Sequence, residues 1–288
     1  MTDWKGPALS APVTLWLLLA FAAPLAVVIL LSLQAGGDPF APLIQPLSLA
    51  QFAEIAGDGF YFKVLSETIL IGLATTAISA VLGYPLAYWL ARMPVQWRAL
   101  AFAVILIPLL TNVVVRSLGV MLLLSPEGLI NSALRLVGLP TAPRMLFTHG
   151  AVVVGLAQVF MPFMVIALYD TMQSTSPRVH EAAESLGAGP AVRFLTVDLP
   201  LSLPGLRSGT VIVFLMSTTA YVSATLLGGK KVMTIGMLVM QEAVANLNAP
   251  LASALAIVVT IAGLIFAGLC TWGLNRAMPW RAGKPGEP

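Results

Sequence analysis

The sequence predicts an all-α, polytopic membrane protein of six transmembrane helices with both termini in the cytoplasm. Three observations carry that prediction. Hydrophobic residues make up 58% of the 288-residue chain and charged residues only 9%, where a soluble domain carries about a quarter charged residues. The apolar residues gather into six segments, each about the 20 residues needed to cross roughly 30 Å of hydrocarbon. Basic residues concentrate in alternate gaps between those segments, which sets their orientation.

The first segment, 13–33, follows Lys5 and is uncharged throughout. It exceeds the roughly 7–15-residue apolar core of a secretory signal and is expected to be a retained span. The gap 34–67 is expected to hold a short interfacial helix around 49–55. The remaining spans are 68–91, 99–124, 150–169, 209–228 and 251–274, and Arg116 alone interrupts the six with a charge. Pro24, Pro85, Pro108 and Pro162 each remove a backbone donor in mid-segment, so kinks or locally broken turns are expected there.

The tails and the gaps 92–98 and 170–208 carry Lys5, Arg92, Arg98, Arg178, Arg193, Arg207, Arg276, Arg281 and Lys284. The opposite side has Lys63, Arg135, Arg144, Lys230 and Lys231, together with Asp38, Glu54, Asp58, Glu127 and Glu242. The positive-inside rule therefore places both termini and the gap 170–208 in the cytoplasm. The net charge of +3 and pI near 9.2 reflect this topology: the basic residues are scattered among apolar runs, not gathered on a nucleic-acid-binding face. One domain accounts for residues 1–288. The single cysteine, Cys270, excludes an internal disulfide and reads as a small buried side chain.

The gap 170–208 has a local code of its own. Ser176 before Pro177 reads as an N-cap with proline in the first turn, opening a helix to Leu186. Residues 187–189 break it, and Pro190 opens a second helix expected to end before Pro200. Ala182 and Ala183 allow another surface to approach closely. Leu186, Phe194 and Leu195 are apolar residues that a solvated loop has no reason to display, with Arg178, Glu181, Glu184 and Arg193 as a polar rim. A loop lying on the membrane interface, or capping the chain's own helices, is the competing reading of this pattern.

Glu181, Ala182, Ala183, Gly187, Leu199 and Pro200, with Val197 in the aliphatic place, resemble the EAA signature of the inner-membrane permease subunits of ATP-binding-cassette importers. Valine at the usual isoleucine position is the one departure. The resemblance implies a type I importer permease fold, in which this loop is the coupling helix that docks on an ATPase subunit. Glu181 and Gly187 would then be central to docking and to the turn, with Ala182, Ala183, Leu186, Val197, Leu199 and Pro200 also in the ATPase-coupling set. The blocks 81–94, 107–119, 144–172 and 221–229 are similar to the spermidine/putrescine branch of these permeases. That implies a bacterial inner-membrane location, a second related permease in a heterodimer, two ATPase subunits and a periplasmic substrate-binding protein. It also implies a polyamine or similar small solute. No cofactor is expected on this chain, ATP and magnesium belonging to the partner ATPase subunits.

Polar residues within spans are the candidates for a translocation path, since each needs a partner or water inside hydrocarbon. Asn112 and Arg116 stand four residues apart, on one face of the third span. Ser217, Thr218, Tyr221 and Thr225 form a stripe on the fifth. Glu67 stands at the outer mouth of the second span and Asp170 at the inner end of the fourth. Self-bonding of Ser and Thr to the preceding turn is the competing reading, as is pairing of Arg116 with a neighbouring subunit. A polycation would favour carboxylates and aromatic faces along its route, and no acid lies at mid-membrane here.

Enzymatic readings fail on spacing. Gly228-Gly229-Lys230 lacks both the loop length and the Ser or Thr of a P-loop. His149 and His180, the two histidines, are predicted on opposite sides of the membrane and cannot share a zinc. A self-sufficient secondary transporter, the alternative class, would need coupling carboxylates near the midplane and commonly shows inverted repeats. Neither is present in the sequence.

Overall fold

A computed structural model describes residues 5–35, 46–137 and 145–276. Asp38, Arg144, Arg281 and Lys284 lie outside the described residues. Among those described the chain is helical, apart from turns and one isolated bridge between Gln34 and Leu47. In order the helices are α1 (Lys5–Ser32), α2 (Ala50–Gly57), α3 (Gly59–Arg92), α4 (Val95–Leu110), α5 (Val113–Leu124), α6 (Leu129–Leu136), α7 (His149–Gln173), α8 (Pro177–Ser185), α9 (Pro190–Arg193), α10 (Leu199–Thr219), α11 (Val222–Gly228), α12 (Ile235–Met240) and α13 (Ala249–Arg276). Six helical stretches are long and apolar enough to cross a membrane. The chain divides into two compact units.

One unit comprises residues 1–63 and 238–260. Its α1 is apolar on all sides and outward-facing, with Trp16 and Phe21 among the exposed side chains. A short helix, α2, stands where one is expected around 49–55. Asp58 caps the next helix by accepting a hydrogen bond from the Phe60 amide at 2.8 Å, and Asn248 caps α13 through the Leu251 amide at 3.3 Å.

The other unit, 64–237 with the chain from 261, is organised around α7. Val152, Leu156, Met164, Val165 and Leu168 are all fully buried, as suits a helix hydrophobic all round. Thr148 starts it, its hydroxyl accepting from the Ala151 amide at 3.2 Å. Helices α3 and α7 run parallel: Glu67 meets His149 where α7 begins, and the Gln173 amide donates to the Ala91 carbonyl at 3.0 Å where α7 ends. Helix α10 packs on α7 in the opposite direction. Gly205 and Gly209 let the backbones close, since a Cβ on Gly205 would stand 2.5 Å from the Ala167 carbonyl oxygen and one on Gly209 2.6 Å from the Met164 sulfur.

Two expected spans are corrected. Residues 99–124 do not form one helix: α4 stops at Leu110 and α5 starts at Val113, with Thr111 and Asn112 extended. The Asn112 side chain takes the Val114 amide at 2.8 Å, so it caps a new helix and does not continue the old one. Residues 209–228 are likewise divided, α10 ending at Thr219 with Ala220 extended before α11. Here Ser217, Thr218 and Thr219 each bond back to a carbonyl one turn earlier, a load that bends and ends helices.

The break expected before Pro200 is also absent. From Pro190 the chain stays helical, widening to a π-helix over Phe194–Asp198 before α10. The Leu199 amide reaches the Phe194 carbonyl, and this wider turn lets the helix pass a proline lacking a donor. Helix therefore continues from Pro190 through the last part of the expected loop, which runs to 208, as far as Thr219.

Candidate functional site

The start and the turn of the α8–α9 segment follow their local code. Ser176 occupies the N-cap position of α8, without a capping hydrogen bond from its side chain, and Pro177 is the first residue of the helix. At the other end Ala188 donates to the Ala183 carbonyl at 3.0 Å and Gly187 to the Glu184 carbonyl at 2.9 Å, which is a Schellman closure. Gly187 has φ of 78° with open space about it, so glycine is needed there for backbone conformation, not for room. Leu186, 88% exposed, stands at the tip of this turn, and Leu195 is also exposed. Glu181 and Ala182 face outward, whereas Ala183 is buried and Val197, Leu199 and Pro200 are half-buried. Glu184 and Arg193 pair with each other across the turn.

Phe194 corrects the sequence reading. It is not displayed but turned inward, with edge contacts to Tyr84 and Tyr88 at centroid distances of 5.6 and 5.9 Å. Around it two rows of residues spaced by four meet. Tyr84, Tyr88 and Arg92 come from the last turns of α3, and Phe194, Asp198 and Ser202 from the π-helix and α10. The Tyr84 and Ser202 hydroxyls lie 2.9 Å apart. Tyr88 donates to Asp198 Oδ2 at 3.0 Å and Arg92 Nη2 to Oδ1 at 2.9 Å. His180 Nε2, from α8, stands 2.8 Å from the same Oδ1.

The Asp198 side chain is 6% exposed. Burial alone would raise its pKa. The hydrogen bond with His180, the charge and hydrogen bond of Arg92 and the Tyr88 hydroxyl outweigh that and hold the carboxyl below its ordinary value. Arg92 also lies over the Tyr88 ring, 3.4 Å from its centroid. A cavity of about 520 Å³ opens beside this cluster, with Arg98, Glu181 and Glu184 on its walls.

Sequence reasoning missed the cluster. Its signals were present: Asp198 is the only acid between residues 185 and 241, and Tyr84, Tyr88 and Arg92 recur on one helical face.

The candidate path residues are placed less uniformly. Glu67 is half-buried and 3.5 Å from His149; Asp170 is exposed near the end of α7. Asn112 is the N-cap of α5, and its carbonyl accepts from the Arg116 amide one turn on at 3.1 Å. Arg116 reaches back across the break to donate to the Pro108 carbonyl, and shares a cavity wall with Gln158. Ser217 and Thr218 are buried with their hydroxyls on the Val213 and Phe214 carbonyls. Tyr221 and Thr225 lie beyond the α10–α11 break, Thr225 bonding to the Tyr221 carbonyl. The supposed single stripe is thus two separate segments. Ser117 and Ser223, not singled out before, join α5 to α11 by a buried hydroxyl pair at 2.9 Å.

Comparison with known proteins gives a consistent result. The family described as binding-protein-dependent transport system inner membrane component matches residues 83–276. The spermidine/putrescine transport system permease protein PotB of Escherichia coli (strain K12) is 32% identical over 228 residues, covering 79% of this chain and 80% of that protein. PotB of Haemophilus influenzae is 31% identical, covering 75% of this chain and 76% of that protein. Among solved structures, a bacterial alginate ABC transporter in complex with alginate pentasaccharide-bound periplasmic protein matches with a TM-score of 0.73. It is 16% identical, with 96% of each chain covered, and so shares the fold.

Proposed function

We propose that this chain, which belongs to the family of binding-protein-dependent transport system inner membrane components, forms half of the translocation pathway of an ATP-driven importer. It is a multi-pass inner-membrane protein. The loop containing α8 faces the cytoplasm, as do both termini, and couples the spans to an ATPase subunit. The observation that carries this reading is the division of labour within the loop: Leu186 and Leu195 are exposed on its outside, while Phe194 and Asp198 anchor its inside to α3 and His180 joins α8 to Asp198. A loop that merely capped its own helices would turn its leucines inward.

The other half of the pathway is a second, related permease. A periplasmic binding protein delivers the solute, and ATP and magnesium are held by two ATPase subunits. The solute is a polyamine or a similar small molecule, a choice supported by the two spermidine/putrescine permeases to which the chain is similar. The helix breaks at 111–112 and 220–221 support a path between the spans, because irregular backbone is tolerated at membrane depth where it is buried or lines a cavity.

ATP hydrolysis by the reconstituted complex tests this reading, with the binding protein presented empty, loaded with spermidine or putrescine, or loaded with unrelated solutes. Stimulation by the polyamine-loaded form alone is expected, and stimulation by a different loaded form would overturn the solute while keeping the importer. Gly187→Pro and Glu181→Arg chains should insert normally yet lose stimulation and uptake, since proline cannot adopt the φ found at Gly187.

A further inference from the structure

The Asp198 carboxylate joins three elements at one point. It belongs to the π-helix that leads into α10, it accepts from Tyr88 and Arg92 at the end of α3, and it is bonded to His180 on α8. The ring of Phe194, one turn before it, fills the space between Tyr84 and Tyr88. The α3 side of this joint is a continuous face, and the α8 side is a single imidazole.

We infer that Asp198 is the pin through which displacement of α8 reaches the spans, with His180 as its α8 arm and Tyr88 and Arg92 as its α3 arm. These are positioning residues for coupled transport, and the inference rests on the docking role proposed above for α8.

The physical argument is one of stiffness. The Glu184–Arg193 pair and the Schellman closure join α8 to α9, α9 continues through the π-helix into α10 and Arg193 also bonds the Tyr88 side chain, so the His180 imidazole is the tie made directly from α8 itself to Asp198. If α8 moves and His180 holds, Asp198 must move as well, and with it the start of α10 and the end of α3. If His180 lets go, a carboxylate only 6% exposed loses one of its charge-stabilising donors, which is unfavourable. Movement of α8 together with the spans is therefore favoured over movement of α8 alone. Without the imidazole, α8 is held only through its turn to α9, and the cavity beside the cluster gives it room to tilt. Asp198 itself stays held by Arg92 and Tyr88 in that case, so the fold survives.

The test uses the complete complex with its ATPase subunits, second permease and binding protein, and compares wild type with His180→Ala and His180→Gln. Three quantities are read: co-purification of the ATPase, ATP hydrolysis stimulated by loaded binding protein, and solute taken up per ATP hydrolysed. His180→Ala should leave the first two within about twofold of wild type and lower uptake per ATP at least tenfold. His180→Gln, whose side-chain amide can donate at the same reach, should restore at least half of the wild-type ratio. An unchanged ratio in His180→Ala would overturn the pin, as would loss of ATPase binding by that variant or failure of glutamine to rescue. A wild-type chain that assembles with no ATPase would instead remove the docking role on which the pin depends, and that outcome is read before any variant is made.

Discussion

At the scale of single residues, Asp198 shows how a buried charge can be a structural asset. A carboxylate at this depth would be costly alone, yet His180, Arg92 and Tyr88 supply three donors, and charge-assisted hydrogen bonds are the strong ones. Because the folded-state pKa is depressed, its stabilisation is fully present above the ordinary aspartate value of about 3.9 and is lost as pH falls through the lower folded value. Asp198→Asn should therefore cost about 1–3 kcal/mol of stability at pH 6–8, and the gap to wild type should close below about pH 4. Thermal unfolding of the detergent-solubilised protein across that range measures this; a gap independent of pH would contradict it. Gly187 was legible in the sequence because glycine after a short amphipathic helix signals a left-handed cap. Phe194 was not, because an aromatic residue in a loop reads as exposed until the tyrosines that receive it, about 100 positions earlier, are folded against it.

At the scale of elements, the apolar segments were legible from composition and length, and their interruptions only in part. Pro108 signals a kink or broken turn within residues 99–124, but the extended pair falls just beyond it at 111–112, where Asn112 caps the next helix, while Pro24, Pro85 and Pro162 lie inside continuous helices. Pro200 misled in the other direction: proline after a short helix suggests a stop, but a π-helix absorbs it. The α7–α10 contact is decided by glycines whose partners differ in kind. At Gly205 an added Cβ meets backbone and a short threonine side chain, and at Gly209 it meets first the flexible end of Met164. Gly205→Ala should accordingly destabilise by about 1–3 kcal/mol, the range for overpacking, and Gly209→Ala by less. Melting temperatures of the two variants decide the order, and the reverse order would mean that this helix pair adjusts more readily than its packing indicates.

At the scale of the whole molecule, the class of protein was visible in the scarcity of charge and in one loop. The solute was not, since the six apolar segments of the sequence carry no acid and a single charge, Arg116, which is engaged with the Pro108 carbonyl. In the proposed assembly the recognising surface is completed by other subunits, which this sequence does not contain. Docking of α8 on an ATPase is the claim from which the rest follows, and the chain is well suited to a direct test because Cys270 is its only cysteine. A photo-crosslinker attached to Leu186→Cys in a Cys270→Ala background should capture the ATPase subunit in the assembled complex. The same probe at Leu122→Cys, on the exposed apolar surface of α5, should not. Capture from position 186 alone is the predicted result; no ATPase adduct, or equal adducts from both positions, would contradict the account.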